Sequence, residues 1–213
     1  MINLKIAIQK SGRLNEDSLT LLKECGISIN NGKDQLMAQA SNFRLDVLYL
    51  RNSDIPQYVR DGVADIAIIG DNTEKEKKTG IRHVLDLGFS RCRLSIAVPK
   101  NVDFQDISYL QGKKIATSYP NSLKDFLTEN DIEAEIHEIS GSVEIAPNIG
   151  LTDAICDLVS SGSTLFKNGL KEVYKIFESQ AILVANSGLC GEKQELLAQL
   201  VFRIKAVLAA KYN

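Results

Sequence analysis

The amino-acid sequence predicts an α/β protein of two lobes with a ligand cleft between them. Short apolar runs alternate with amphipathic segments along the chain, which is the pattern of α/β folds. The segment Leu94–Lys100 reads as a crossing point from one lobe to the other. A chain that crosses, forms a second lobe and returns leaves a cleft, and α/β proteins bind ligands at the carboxyl ends of strands. We expect lobe I to comprise residues 1–95 and 186–213, and lobe II residues 96–185.

The strands are predicted from short apolar runs. Several of these runs lack polar alternation, which is typical of central strands covered on both faces. The predicted strands are Leu4–Gln9, Leu45–Leu50, Ile66–Ile69, Leu94–Val98, Lys114–Thr117, Ala134–Glu138, Ala154–Val159, Glu172–Ile176 and Ile182–Ala185.

Helices are predicted between these strands from start signals and apolar periodicity. The predicted helices are Asn15–Cys25, Ile55–Asp61, Ser122–Glu129 and about Glu192–Ala209. Asn15 is a candidate N-cap, because acidic residues follow it in the first turn. Pro56 stands near the start of the second helix, where proline is tolerated. The last helix has apolar residues at helical spacing, which predicts packing against a core.

The composition is that of an ordinary globular protein. The 213 residues are 44% hydrophobic and 24% charged, with a net charge of −2. The basic run Lys75–Lys78 is short and interrupted by Glu76, so no nucleic-acid partner is expected. No window approaches a membrane span and no secretory signal begins the chain, so we expect a cytoplasmic protein without a membrane partner. The scattered cysteines and the two histidines predict buried free thiols and no histidine-based zinc site.

Residues 140–165 carry the clearest chemical signal. Asp157 precedes a run of small hydroxyl residues broken by glycine. That run is Ser160, Ser161, Gly162, Ser163 and Thr164. Backbone N–H groups and short hydroxyls at a helix N-terminus bind phosphate, and an upstream carboxylate accepts hydrogen bonds from ribose hydroxyls. The pattern indicates a sugar-phosphate site, with a plain turn as the alternative. Neither G-x-G-x-x-G nor Walker A is present, so any nucleotide is held in another way.

Segments along nearly the whole chain resemble one known family. In order they are IAIQKSGRLNEDSLTLLKECGI, LRNSDIPQYVRDGVADIAIIGDN, CRLSIAVP, KKIATSYP, GSVEIAP followed by GLTDAICDLVSSGSTL, and NGLKEV. Each is a weak pattern alone, but their order is highly specific. It resembles the ATP phosphoribosyltransferases, the family of the first enzyme of histidine biosynthesis.

The resemblance implies a fold, a reaction and a cofactor. The fold is two-lobed and like that of type II periplasmic binding proteins. The reaction joins ATP, through N1 of its adenine, to C1 of phosphoribosyl pyrophosphate (PRPP), and it releases phosphoribosyl-ATP and pyrophosphate. Mg²⁺ is required and is expected to be bound mainly through substrate phosphates. Because N1 is already a neutral nucleophile, the site must supply positioning and charge stabilisation on the leaving group rather than a strong base.

The expected PRPP residues lie in lobe II. The loop Ser160–Thr164 is expected to hold the 5′-phosphate, and Asp157 the ribose hydroxyls. Asp153 lies four residues earlier and is expected to share a face with Asp157; a solvated or capping acid is the alternative. Glu144 resembles a family residue that faces the ribose or its metal, and a plain exposed glutamate is its alternative reading.

The resemblance places the ATP and pyrophosphate side on lobe I. Lys10 and Arg13, just after the first strand, and Arg51, after the second, are expected to meet the triphosphate or pyrophosphate. Arg51 could instead pair with Asp54 on the surface. Further expected ATP residues are Gly70, Asp71, Arg93, Thr117, Ser118 and Tyr119. Family members often carry an arginine near Gln35, where this chain offers Lys33; lysine lacks the bidentate fork and is expected to substitute imperfectly.

The substrates are ATP and PRPP, and a homodimer is expected. Long forms of the family continue into a histidine-binding regulatory domain, whereas short forms work with a separate regulatory subunit. We hypothesise that the chain is the catalytic core of a long form without its regulatory domain. If it is a true short form, a separate regulatory subunit is the expected partner. The alternatives are a non-catalytic two-lobed binding module and a phosphoribosyltransferase with another acceptor base.

Overall fold

The computed structural model describes residues 2–30 and 35–212. The chain divides into two compact units: unit 1 is Met1–Ser90 with Gln180–Asn213, and unit 2 is Arg91–Ser179. The lobe boundaries predicted after residues 95 and 185 differ from this division because strands stay whole. The strand Cys92–Pro99 lies in the sheet of unit 2, and the strand Ala181–Ala185 lies in the sheet of unit 1.

Strands and helices alternate along most of the described chain, in an α/β arrangement. The strands are β1 (Leu4–Gln9), β2 (Met37–Gln39), β3 (Leu45–Leu50), β4 (Ile66–Gly70), β5 (Arg82–Asp86), β6 (Cys92–Pro99), β7 (Lys114–Thr117), β8 (Glu135–Glu138), β9 (Ala154–Val159), β10 (Leu170–Ser179) and β11 (Ala181–Ala185). The helices are α1 (Arg13–Glu24), α2 (Ile55–Arg60), α3 (Asp71–Lys77), α4 (Pro120–Glu129), α5 (Ser163–Lys167) and α6 (Gly191–Tyr212). Short 3₁₀ turns cover Ile107–Leu110 and Val143–Ile145.

Unit 1 is built on a six-stranded sheet in the order β2-β3-β1-β4-β11-β5. β1 pairs in parallel with β3 and β4, whereas β11 runs antiparallel to β4. Apolar clusters cover both faces, so the central strands are nearly continuous in buried residues. The apolar stripe of α6 packs on one face through Leu196, Leu197, Leu200 and Ile204, as its spacing predicts.

Unit 2 is built on a five-stranded sheet in the order β10-β6-β9-β7-β8. β7 pairs in parallel with β8 and β9, and β6 runs antiparallel to β9. One apolar cluster includes Leu123, Phe126 and Leu127 of α4, and a second lies around Val159 and Leu165. Because β7 and β9 are parallel, the residues that follow them emerge at one edge of the sheet.

The predicted elements are found in the structure, and four additional ones are present: the strands β2 and β5, the helix α3 and the five-residue helix α5. β2 has three residues and β5 is largely exposed, so neither carries a strong apolar run. The sequence of α3, DNTEKEK, is polar and has no apolar stripe. Asn15 is not the N-cap that was predicted. α1 begins at Arg13, and the Asn15 amide instead donates to the backbone oxygen of Gln9 at 2.6 Å.

The predictions about the cysteines and about a membrane span can be compared with the described residues. The four cysteines are free thiols, but only Cys25 and Cys156 are buried, whereas Cys92 is half-buried and Cys190 is exposed. Burial raises the pKa of Cys25 to about 11. Within residues 2–30 and 35–212, no helix is both long and apolar enough to cross a membrane.

Candidate active site

The carboxyl edge of the unit 2 sheet gathers the residues of the predicted sugar-phosphate site. β7 ends at Thr117 and its parallel neighbour β9 ends at Val159. The loop that follows β9 leads through Ser160–Gly162 directly into α5. The prediction of a strand–loop–helix arrangement at this segment is therefore confirmed, although what the loop binds stays a prediction.

The loop 160–164 has a conformation that depends on Gly162. This residue has φ +76°, a left-handed conformation that L side chains rarely adopt. The Ser161 hydroxyl lies 3.4 Å from the backbone N–H of Ser163 and 3.0 Å from its hydroxyl oxygen. α5 has only five residues, so its dipole is small. Any anion binding here must rest on local N–H groups and hydroxyls rather than on a long helix.

Asp157 lies near the end of β9 with its side chain half-buried. One carboxylate oxygen accepts the backbone N–H of Leu158 at 2.8 Å. Burial chiefly, with a further contribution from the negative charge of Glu144, raises the pKa of Asp157 to about 6 against the lowering effect of that hydrogen bond. A carboxyl group with this pKa is mostly ionised at pH 7 and has polar bonding capacity left for a ligand.

Glu144 belongs to the 3₁₀ turn that packs against β9. The turn is anchored by Val143 and Ala146, which are buried in the same apolar cluster as Val159. Ser142, just before it, has φ 52°, a left-handed backbone that is uncommon in non-glycine residues. The anchor holds the half-buried Glu144 close enough to Asp157 for its charge to act there.

These residues surround one cavity of about 160 Å³. Its lining includes Glu144, Asp157, Ser160–Gly162 and Thr164. The lining therefore combines two carboxyl groups with a hydroxyl-rich loop. Since a water molecule occupies about 30 Å³ of liquid, the cavity has room for a group of phosphate size.

The guanidinium group of Arg93 is bound by other groups of unit 2. It lies on β6, where it pairs with Val159 of β9. Its guanidinium group binds both carboxylate oxygens of Glu172 at 2.5 Å and the backbone oxygen of Ser160 at 3.1 Å. An arginine that is engaged in this way with the chain does not support the prediction that it contacts ATP.

Thr117, Ser118 and Tyr119 follow β7 at the same edge. Thr117 is fully buried, and its hydroxyl accepts the backbone N–H of Tyr119 at 2.9 Å. Ser118 donates to the backbone oxygen of Ile139 at 2.6 Å. The hydroxyls of Thr117 and Ser118 thus shape the turn into α4, which is a structural role. ATP contact by these three residues remains only a prediction.

Asp153 lies far from the loop 160–164. It precedes β9, whereas the loop follows it, and a strand of six residues separates them, or roughly 20 Å. Its carboxylate accepts the backbone N–H of Lys114 at 2.9 Å, where it fastens β9 to β7. The capping alternative fits this placement, and the expected PRPP contact does not.

Unit 1 carries its predicted residues at the carboxyl edge of its own sheet. Lys10 follows β1, and its backbone N–H donates to Leu50 of β3 at 2.8 Å. Arg51 follows β3, so the two cations emerge side by side from parallel strands. Arg13 opens α1 with a side chain that is 65% exposed and lies 3.7 Å from Asp17. Lys33 lies outside the described residues.

Gly70 ends β4 at the same edge, and Asp71 is the first residue of α3. Asp71 pairs with Lys75 through one carboxylate oxygen at 3.0 Å, while the other oxygen is buried without a hydrogen-bond partner in the described part of the chain. Asn52, which sequence reasoning missed, donates to the Thr73 hydroxyl at 2.8 Å and also has an unsatisfied buried oxygen. The only sequence signal for Asn52 is its position after Arg51. Two such acceptors suit a ligand with N–H or O–H donors.

No cluster of three or more histidine, cysteine or acidic residues arranged to hold a metal ion occurs within 2–30 and 35–212. The nearest donor set at the cavity is the pair Glu144 and Asp157. Carboxylate oxygens are ligands that Mg²⁺ prefers, and Mg²⁺ is commonly bound by one or two of them together with substrate phosphates.

Comparison with known proteins gives concordant results. The family model HisG, ATP phosphoribosyltransferase, matches residues 51–206. The ATP phosphoribosyltransferase of Cytophaga hutchinsonii is 58% identical over 208 residues, which cover 98% of this chain and 73% of that protein. That of Phocaeicola vulgatus is 52% identical, with 98% and 74% covered.

Solved structures agree in fold. A chain of the ATP phosphoribosyl transferase (HisG:HisZ) complex from Thermotoga maritima superposes with a TM-score of 0.83 at 29% identity, covering 97% of this chain and 99% of that chain. The substrate binding protein of an amino acid ABC transporter superposes with a TM-score of 0.64 at 12% identity, covering 98% and 94%. The second likeness concerns the fold alone.

Together the fold and the relatives define a phosphoribosyl-transferring enzyme on an α/β fold of the periplasmic-binding-protein kind. The chain belongs to the ATP phosphoribosyltransferase family. Its activity is therefore the phosphoribosyl transfer to ATP that belongs to histidine biosynthesis, and the non-catalytic alternative is disfavoured.

Proposed function

We propose that the chain joins N1 of the ATP adenine to C1 of PRPP, with PRPP bound at the carboxyl edge of unit 2. The observation that carries the proposal is the shared cavity of Asp157 and the loop 160–164. A phosphate needs N–H and O–H donors, which the loop supplies, and ribose hydroxyls need acceptors, which Asp157 supplies. The lining groups thus match the two ends of a ribose 5-phosphate.

The reaction breaks the bond from C1 to the pyrophosphate oxygen, and that oxygen keeps the electron pair. The adenine N1 lone pair forms the new bond, and N1 carries no proton that a base must first remove. Asp157 and the loop would therefore act by holding the ribose and its 5′-phosphate in line with the incoming base. Lys10, Arg13 and Arg51 would bind the polyanions through charge-assisted hydrogen bonds.

Mg²⁺ fits the donor set of the cavity. Glu144 and Asp157 would contribute carboxylate oxygens, while substrate phosphates would complete the coordination. When bound, the ion supplies positive charge that stabilises the departing pyrophosphate.

Gly70 and Asp71 are proposed to contact the adenine or ribose of ATP. The buried, unsatisfied oxygen of Asp71 supports this, because it can accept a hydrogen bond from a ligand donor. Asn52 offers a second acceptor of the same kind.

We further propose a homodimer and, as a possible partner, a separate regulatory subunit. The Thermotoga maritima protein supports the second part, because it belongs to a HisG:HisZ complex and its matched chain resembles this one over almost its full length.

The experiment that tests the proposed function is the detection of phosphoribosyl-ATP by mass spectrometry. The chain is mixed with ATP, PRPP and Mg²⁺, with pyrophosphatase to pull the reaction forward. Asp157→Asn is the matched variant and should lower kcat/KM for PRPP about tenfold or more, since a charge-assisted hydrogen bond contributes about 1.5–3 kcal/mol. Asp153→Asn is the control and should keep normal turnover. Equal activity of the Asp157 variant and the wild type would refute the assignment of the cavity.

A further inference from the structure

The side chain of Arg93 links three strands of unit 2 to the first residue of the loop 160–164. Two of its nitrogens bind the two carboxylate oxygens of Glu172 on β10, each at 2.5 Å. The remaining nitrogen donates to the backbone oxygen of Ser160 at 3.1 Å. All three guanidinium nitrogens are thereby used, and each has a partner fixed by the sheet or by the end of β9.

Glu172 is itself held in place. The Ser95 hydroxyl donates to one of its carboxylate oxygens at 2.8 Å. The hydrogen bond from Arg93, together with that from Ser95, lowers the pKa of Glu172 in spite of its partial burial, and the same bond raises the pKa of Arg93. Both groups stay charged around neutral pH, so the fork geometry that arginine and carboxylate share is retained.

The bond to Ser160 determines the direction of a peptide group. In a trans peptide the C=O of one residue and the N–H of the next point in opposite directions. Because Arg93 binds the Ser160 oxygen, the N–H of Ser161 must point away from Arg93. A rotation of this peptide would exchange the two groups and would turn a carbonyl oxygen, which repels anions, toward the side where the N–H now lies.

We propose that Arg93 is a positioning residue for PRPP. Held by Glu172 and Ser95, it retains the Ser160 carbonyl and thereby keeps the Ser161 N–H turned toward the 5′-phosphate. This inference rests on the proposed function, in which the loop 160–164 is the phosphate site. Arg93 itself touches no substrate. Its loss is therefore felt as weaker PRPP binding rather than as a slower reaction of bound substrates.

The test compares Arg93→Lys and Arg93→Met with the wild type by steady-state kinetics. Lysine keeps the charge but cannot bind both Glu172 oxygens and Ser160 at once. Both variants should raise KM for PRPP about tenfold, while KM for ATP and kcat change less than about twofold, because a Ser161 N–H turned away from the phosphate loses its charge-assisted hydrogen bond. Glu172→Gln should act in the same direction with a smaller effect. Lys175→Met, which breaks an exposed ion pair with Glu178 on the same strand, is the control and should leave both KM values unchanged.

Circular dichroism shows which variants are folded. If Arg93→Met does not fold, the kinetics of Arg93→Lys test the proposal. A folded Arg93→Lys with an unchanged KM for PRPP, or with equal losses for PRPP and ATP, overturns the proposal. Gly162→Ala is measured in parallel, so that the role of the loop 160–164 in phosphate binding is tested separately from the positioning role of Arg93. If it raises KM for PRPP while the Arg93 variants do not, the loop remains the phosphate site and Arg93 has no positioning role. If neither changes KM for PRPP, the assignment of the loop fails and this proposal fails with it.

Discussion

Glu144 and Asp157 line the same cavity, and the negative charge of Glu144 acts on the carboxyl group of Asp157. Burial is the larger cause, and together they raise the pKa of Asp157 to about 6. The two acids stand 13 positions apart in the chain and meet because a 3₁₀ turn packs against the end of a strand. A pair of acids beside a phosphate-sized cavity has measurable consequences for stability and for activity.

Asp157 should make the protein less stable at neutral pH than its asparagine variant. Its pKa rises from 3.8 to about 6 on folding, so the folded state holds the proton more tightly than the unfolded state. The free energy of unfolding therefore falls as pH rises from about 4 to about 6 and stays lower above that range. The free energy of unfolding of Asp157→Asn minus that of the wild type should therefore be larger at pH 7.5 than at pH 4, by about 1–3 kcal/mol.

The measurement is urea unfolding of both proteins at the two pH values. Asp153→Asn is the matched control, because the Asp153 carboxylate accepts a backbone N–H on the neighbouring strand and its replacement should bring no gain. If Asp157→Asn and the wild type differ in free energy of unfolding by the same amount at pH 4 and pH 7.5, the expected linkage is contradicted.

Glu144→Gln should shift the acidic limb of the pH profile of kcat/KM for PRPP. Removing the charge of Glu144 lowers the pKa of Asp157, so the decline of kcat/KM for PRPP should begin at a lower pH, by a fraction of a unit. Titration of the substrate phosphates is common to both proteins and cancels in the comparison. His83→Gln, at an exposed histidine that pairs with Asp86, should leave the limb where it is. A shift to higher pH in Glu144→Gln would refute the coupling.

Gly162 and Gly169 allow the loop conformation to be separated from general strain. Their φ angles are +76° and +70°, and a Cβ at either position meets no atom closer than 3.9 Å. Alanine at each should therefore cost a similar amount, about 1–2 kcal/mol, from backbone conformation alone. Only Gly162→Ala should also raise KM for PRPP, since only its loop lines the cavity. Thermal unfolding and steady-state kinetics of both variants check this, and an equal KM for the two would count against the loop.

Asp65 should be important for the stability of unit 1. It is 5% exposed and binds the Lys193 ammonium and the backbone N–H of Lys5, both at 2.8 Å. Asp65→Ala leaves both donors without this partner and should cost about 3–5 kcal/mol in urea unfolding. Lys175→Ala, which breaks an exposed pair, should cost less than about 1 kcal/mol. If Asp65→Ala lowers the free energy of unfolding by less than about 1 kcal/mol, the pair of Asp65 and Lys193 is not stabilising.

Much of the fold was predictable because the relevant signals are local. Buried strands such as β4 and β11 are continuous apolar runs, and α6 has a regular apolar stripe. β2, β5 and α3 were missed because they are short, exposed or polar. For β2 and β5, pairing with a neighbouring strand decides the structure, and a local run of residues does not reveal which strand that is.

The amino-acid sequence alone identifies the family and locates a strand–loop–helix segment with Asp157 beside Ser160–Thr164. The order of motifs along the chain and a glycine among small hydroxyl residues carry that information without any knowledge of folding. Which distant groups meet depends on how the strands assemble into sheets. A spacing of four residues suggested that Asp153 and Asp157 act together, but a strand carries Asp153 to the opposite edge of the sheet. Arg93 reaches Glu172 and Ser160 across 79 and 67 positions, because strand register, which depends on cooperative burial of whole sheets, brings them together.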